Sequence, residues 1–85
     1  MTNELENLKK KIIYRASYRG TKEMDILLSS FVKKYLNTFS KNELMDLEDF
    51  LNLEDQTILN YYNLDLKNKK IENNLILKYF KKFKV

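Results

Sequence analysis

An all-α fold, a compact bundle of about five short helices in one domain spanning residues 1–85, is what this sequence predicts, and three observations carry the prediction. The chain has no proline and one glycine, so it lacks the usual breakers of helices. Apolar residues recur at spacings of three and four in successive segments, the period of an amphipathic helix. Between those segments stand residues suited to starting helices, above all Ser40-Lys41-Asn42-Glu43. At 85 residues the chain can bury about 60% of the surface its unfolded form exposes, enough for one modest core.

The first segment, about Asn3 to Ser17, sets Leu5, Leu8, Ile12 and Ala16 on one face and Lys9, Lys10 and Lys11 towards solvent. Arg15 and Arg19 lie one turn apart, as do Tyr14 and Tyr18. Gly20 stops this helix or starts the next; as an N-cap it would set Glu23 at the third position, where its carboxylate reaches back to a backbone N–H. Asp25 adds negative charge to the same first turn. Met24, Leu27, Leu28, Phe31, Tyr35 and Phe39 make the stretch from Thr21 to Thr38 the expected central helix.

Ser40 and Glu43 form a capping box, so a third helix is expected from Lys41 to near Asn52, with Leu44, Leu47, Phe50 and Leu51 inward and Asp46, Glu48 and Asp49 wet. Asp55 offers a side-chain oxygen to start a short fourth helix with Ile58, Leu59 and Tyr62 on its apolar face. After a polar connection from Asn63 to Asn68, Ile71, Leu75, Ile76, Tyr79, Phe80 and Phe83 predict the last helix. Its lysines, Lys78, Lys81, Lys82 and Lys84, suit the negative end of the helix dipole or a client-binding tail.

Composition narrows the function. With no His and no Cys, the commonest general base, metal ligand and strong nucleophile are missing, so binding is expected rather than catalysis. One glycine cannot build a phosphate-binding loop. The net charge of +4 is segregated: six bases and no acid from Lys9 to Lys22, six acids and no base from Glu43 to Asp55. Basic residues beside Tyr14 and Tyr18 have the look of a nucleic-acid footprint, but the acidic run would repel a phosphate backbone, and no nucleic-acid partner is expected. The carboxylate pairs Asp46 with Asp49 and Glu54 with Asp55 read as solvated charge.

No apolar run approaches the roughly 20 residues that cross a bilayer, and Met1-Thr2-Asn3-Glu4 lacks the features of a secretory signal. The protein is expected to stay in the cytoplasm, the compartment where it is made. The best site candidate is Arg19-Gly20-x-x-Glu23. Capping accounts for Gly20 and Glu23 without a partner and leaves Arg19 unexplained.

Those residues carry a resemblance. Arg19-Gly20-Thr21-Lys22-Glu23-Met24-Asp25 resembles the R-G-x-x-E-x-D signature of the SdhE or flavinator family of succinate dehydrogenase assembly factors, with Leu28, Phe31, the Leu44 to Leu51 helix, Asp55, Leu59 and Tyr61 at matching positions from about Lys10 to Phe83. Three positions depart from it: Tyr18 where many members have a second arginine, Gln56-Thr57 for a common Pro-Asp pair, and Tyr61 for a tryptophan.

The resemblance implies a non-enzymatic helper, monomeric when free, that binds the flavoprotein subunit of succinate dehydrogenase, and in some members fumarate reductase. The helper promotes covalent attachment of FAD to a client histidine. It implies client-binding residues Arg15, Tyr18, Arg19, Gly20, Glu23 and Asp25, with no cofactor held by this chain because FAD belongs to the client. The competing reading is a helical interaction module, an inhibitor or antitoxin-like adaptor, for another protein.

Overall fold

The structure, a computed structural model, describes residues 4–64 and 73–84, which form five helices and no strand. The helices are α1 Glu4–Ser17, α2 Lys22–Tyr35, α3 Lys41–Leu51, α4 Asp55–Leu64 and α5 Leu77–Lys82. Their apolar faces meet in one core built wholly from apolar and aromatic side chains. In α1, Ile12 and Ala16 are buried while Leu5 and Leu8 pack against the rim, as their spacing predicts. Although α2 supplies more of the core, it is α1 that packs directly on both α2 and α3.

Helix α2 starts one residue later than Gly20 would have started it. Thr21 is the N-cap, in extended backbone (φ −130°, ψ 156°), and its hydroxyl accepts the Met24 N–H. A threonine brings its own acceptor to the cap and glycine does not, so Thr21 wins. Glu23 therefore stands at the second helical position and makes no capping box. The helix also ends at Tyr35, short of Thr38. Ser40 must be extended (φ −68°, ψ 169°) to cap α3, so the chain leaves the helix through a turn closed by Thr38 and Phe39 N–H groups on the Tyr35 carbonyl. Phe39 stays buried by stacking on Tyr35 at 5.0 Å.

Both bonds of the α3 capping box form: the Ser40 hydroxyl accepts the Glu43 N–H at 3.3 Å, and the Glu43 carboxylate accepts the Ser40 N–H at 2.9 Å. That backbone bond is the main reason the Glu43 carboxyl lies below its ordinary 4.5; desolvation opposes it, and the Tyr79 and Ser40 hydroxyls and the Lys78 charge reinforce it. A lowered folded-state pKa contributes stability above the ordinary value and loses it as pH falls through the folded one. Wild type is thus expected to outlast Glu43→Gln in urea at neutral pH, with the gap closing as pH falls below the ordinary carboxylate range; a gap unchanged by acid would sink this account.

The last helix is shorter than its apolar pattern predicts. Asn74 bonds the Ile76 N–H and the Asp46 carbonyl, and the Asp46 carboxylate accepts the Leu75 N–H, so side chains hold residues 74–76 in a turn until Leu77. Such local bonds compete with helix geometry. Leu75 is left exposed, and Asp46, expected to be wet, is half-buried as the tether. Asn63 and Leu64 belong to α4 rather than to a connection; residues 65–68 of that expected connection, and Ile71, lie outside the described residues.

Helix α5 is stitched to α4. The Tyr62 hydroxyl donates to Phe83 O at 2.6 Å, and Lys81 Nζ donates to Tyr61 O and Tyr62 O in the last turn of α4. Lys81 thus serves the negative end of a neighbouring helix rather than only its own.

Candidate functional site

The signature residues sit where α1 turns into α2, against the turn from α3 into α4. Arg19 is the pivot. Its side chain is only 9% exposed, and each nitrogen of the planar guanidinium meets an acceptor within the fold. Nε donates to Asp55 Oδ1 at 2.7 Å. Nη1 donates to Arg15 O at 3.1 Å and Leu51 O at 2.8 Å. Nη2 donates to Leu53 O at 3.0 Å and meets Asp55 Oδ1 at 2.7 Å.

Arg15 O and Leu51 O belong to the last turns of α1 and α3, where carbonyls lack intrahelical donors and the dipole is negative. One cation therefore caps two helices and pairs with the acid opening a third. An arginine can do this because its fork presents donors in several fixed directions, which a lysine ammonium does not.

Two carboxylates fix the backbone on either side. Asp25, in the first turn of α2, accepts the Arg19 N–H at 2.6 Å, and Asp55 Oδ2 accepts the Gly20 N–H at 2.8 Å. A Cβ on Gly20 would stand 3.0 Å from that Asp55 oxygen, so the missing side chain is what admits the carboxylate. The close approach at Gly20 thus comes from within the chain, and Gly20 is not in the left-handed region.

The expected residues divide into two groups. Arg19 is not an exposed side chain without an internal partner, and Asp25 is more than a first-turn charge. Both are consumed by the corner itself. Arg15, Tyr18, Gly20 and Glu23 are exposed around it. Tyr18 is 74% exposed and pairs with Tyr14, 66% exposed, at 4.9 Å between ring centroids. Lys10, Lys11, Tyr14 and Arg15 line a shallow recess beside this pair.

Sequence reasoning assigned Asp55 to the start of its own helix and set its carboxylate aside as solvated charge. It serves the other corner instead, because an arginine already stripped of water across the fold is a stronger partner than a helix-end amide open to solvent. The signal available was its match to an acidic position in the family pattern. Among the described residues no cluster of three or more metal-binding side chains occurs, and no helix is long and apolar enough to cross a membrane.

Fold and corner together define a small helical protein whose most ordered polar feature is a pinned inter-helix corner rimmed by exposed aromatic and charged side chains. The chain belongs to the family described as flavinator of succinate dehydrogenase, whose profile matches residues 10–84. It is 43% identical over 61 residues to succinate dehydrogenase assembly factor 2, mitochondrial, of Komagataella phaffii, covering 71% of this chain and 31% of that protein.

With the Saccharomyces cerevisiae protein of the same name it shares 33% identity over 87 residues, 96% of this chain and 54% of the relative. With FAD assembly factor SdhE of Acetobacter pasteurianus it shares 34% over 53 residues, 62% and 49% of the two chains. The chain thus spans between about a third and about half the length of these relatives. No solved structure matches it significantly.

Proposed function

We propose that this protein is an assembly factor that binds the flavoprotein subunit of succinate dehydrogenase and promotes covalent attachment of FAD to a histidine of that client. The observation that supports this best is the corner: a signature shared with the flavinator family is held rigid from inside while Gly20, Glu23, Tyr18 and Arg15 face outward. A chain without His or Cys lacks the commonest general base and the strongest side-chain nucleophile. The nucleophile and the flavin belong to the client, and the helper contributes geometry.

Docking on the corner holds the client histidine and the flavin methyl group in a near-attack arrangement, which lowers the barrier with no reacting group from the helper. Gly20 leaves room for client backbone to approach, and Glu23 offers a carboxylate for charge-assisted hydrogen bonds. The fumarate reductase flavoprotein is the second client on this reading, the free protein is a monomer, and the compartment is the bacterial cytoplasm.

The test is co-expression of the client flavoprotein with wild type or Glu23→Ala in a strain lacking its own helper, reading covalent flavin by fluorescence in a denaturing gel. Wild type should restore covalent flavin and Glu23→Ala should lower it about tenfold, the worth of one charged hydrogen bond. Because Glu23 is exposed, its loss costs the fold only a first-turn charge, about 0.3–1 kcal/mol. No gain of covalent flavin with wild type would refute the function; unchanged flavin with Glu23→Ala would remove Glu23 from the interface.

A further inference from the structure

The family signature ends at Asp25, yet the group that fixes its geometry stands at Asp55, 35 residues beyond Gly20. We infer that Asp55 and Arg19 are paired positioning residues for flavoprotein docking: together they set the corner, and the Arg19 guanidinium itself never touches the client. This rests on the docking reading above. It reverses the expected role of the signature arginine.

The donor inventory decides the point. Arg19 donates four side-chain hydrogen bonds, to three backbone carbonyls and the Asp55 carboxylate, and its Nη2 also ion-pairs with that carboxylate. Turning the fork towards a client would leave those acceptors without their donor and Asp55 without its counter-charge in a partly desolvated corner. One new charge-assisted contact does not offset that loss.

What the pair does provide is position. Asp55 uses Oδ1 for Arg19 and Oδ2 for the Gly20 N–H, so a single carboxylate links the side chain of one signature residue to the backbone of the next. With Asp25 on the Arg19 N–H, two successive amides of the corner are pinned. The exposed face of Gly20 and the first turn carrying Glu23 are thereby held in one orientation relative to α3 and α4.

The measurement is equilibrium binding of the purified succinate dehydrogenase flavoprotein subunit, prepared without covalent flavin, to wild type, Arg19→Lys, Asp55→Asn and the double variant. Thermal melting of each is run alongside. Ser40→Ala, which weakens the α3 cap away from the corner, controls for stability. Each single variant should bind at least tenfold more weakly, and the double variant no more weakly than the worse single, because both changes break one unit.

Ser40→Ala should bind like wild type. Asp55→Glu, which keeps the charge, should recover part of what Asp55→Asn loses, and it keeps the test open if the double variant does not fold. Wild-type binding by Arg19→Lys or by Asp55→Asn, multiplying losses in the double variant, no recovery with Asp55→Glu, or an equal loss with Ser40→Ala each overturns the inference. Absence of binding by wild type would instead sink the docking reading and the inference with it.

Discussion

Replacing Phe31 with alanine is expected to remove about 3–5 kcal/mol of stability, a large share of the roughly 4–13 kcal/mol available to a domain of this size. Phe31 is fully buried and touches four other rings: Tyr35 at 5.0 Å, Phe39 at 6.2 Å, Phe80 at 5.2 Å and Phe83 at 5.3 Å. Phe80 in turn meets Phe50 of α3 and Tyr62 of α4, so Phe31 links α2 to the other side of the bundle through α5.

Helix α5 has six residues, too few to hold a helix alone, and it depends on these ring contacts. Thermal melting by circular dichroism should show a fall in Tm of more than about 15 °C. Limited proteolysis should cut first near Leu77–Lys82. A loss below about 1.5 kcal/mol would mean that the surrounding rings collapse into the space and that the cluster is less committed than its geometry implies.

Local rules made much of this fold legible. The three-four spacing placed Ile12, Ala16, Met24, Leu27, Leu28, Phe31, Leu44, Leu47, Phe50 and Leu51 in the core, and all are buried. Ser40 and Glu43, three residues apart, gave the start of α3 and both of its cap bonds. Those signals act within one turn of helix, where sequence distance and spatial distance agree. The misses involve partners far apart in sequence or two local signals in competition.

Arg19 with Asp55, 36 residues apart, and Asp46 with Leu75, 29 apart, pair across the bundle, and no periodicity points to either. The same limit explains why the acidic run was read as solvated charge, although Asp46, Glu48 and Asp55 are half-buried and one Glu48 oxygen is enclosed without a hydrogen-bond partner. At the start of α2, Gly20 was the expected cap, and the neighbouring Thr21 takes the position through its hydroxyl. At the signature, the residue types were legible and their assignment to inward or outward roles was not, because that depends on what the opposite turn places beneath them.

Gly20→Arg is the substitution expected to separate function from folding most sharply. The position is exposed, and the added Cβ meets a single atom within contact range, a carboxylate oxygen of Asp55 at 3.0 Å. A side-chain oxygen can yield by a few tenths of an ångström, so the fold should lose only about 1 kcal/mol and keep its helical spectrum.

The docking surface has no such latitude: the long side chain stands where the client backbone is proposed to approach, and the displaced carboxylate loosens the Gly20 amide that it holds. Loss of a contact at the centre of an interface is typically worth 2 kcal/mol or more, so covalent flavin on the co-expressed client should fall about thirtyfold or further.

Gly20→Ala tells the two contributions apart. It introduces the same Cβ without the bulk, so a loss equal to that of Gly20→Arg assigns the effect to the displaced Asp55 carboxylate, and a mild one assigns it to occlusion of the client. Full flavinylation by folded Gly20→Arg would exclude the corner as the docking surface, since no client backbone could pack on a position that tolerates an arginine.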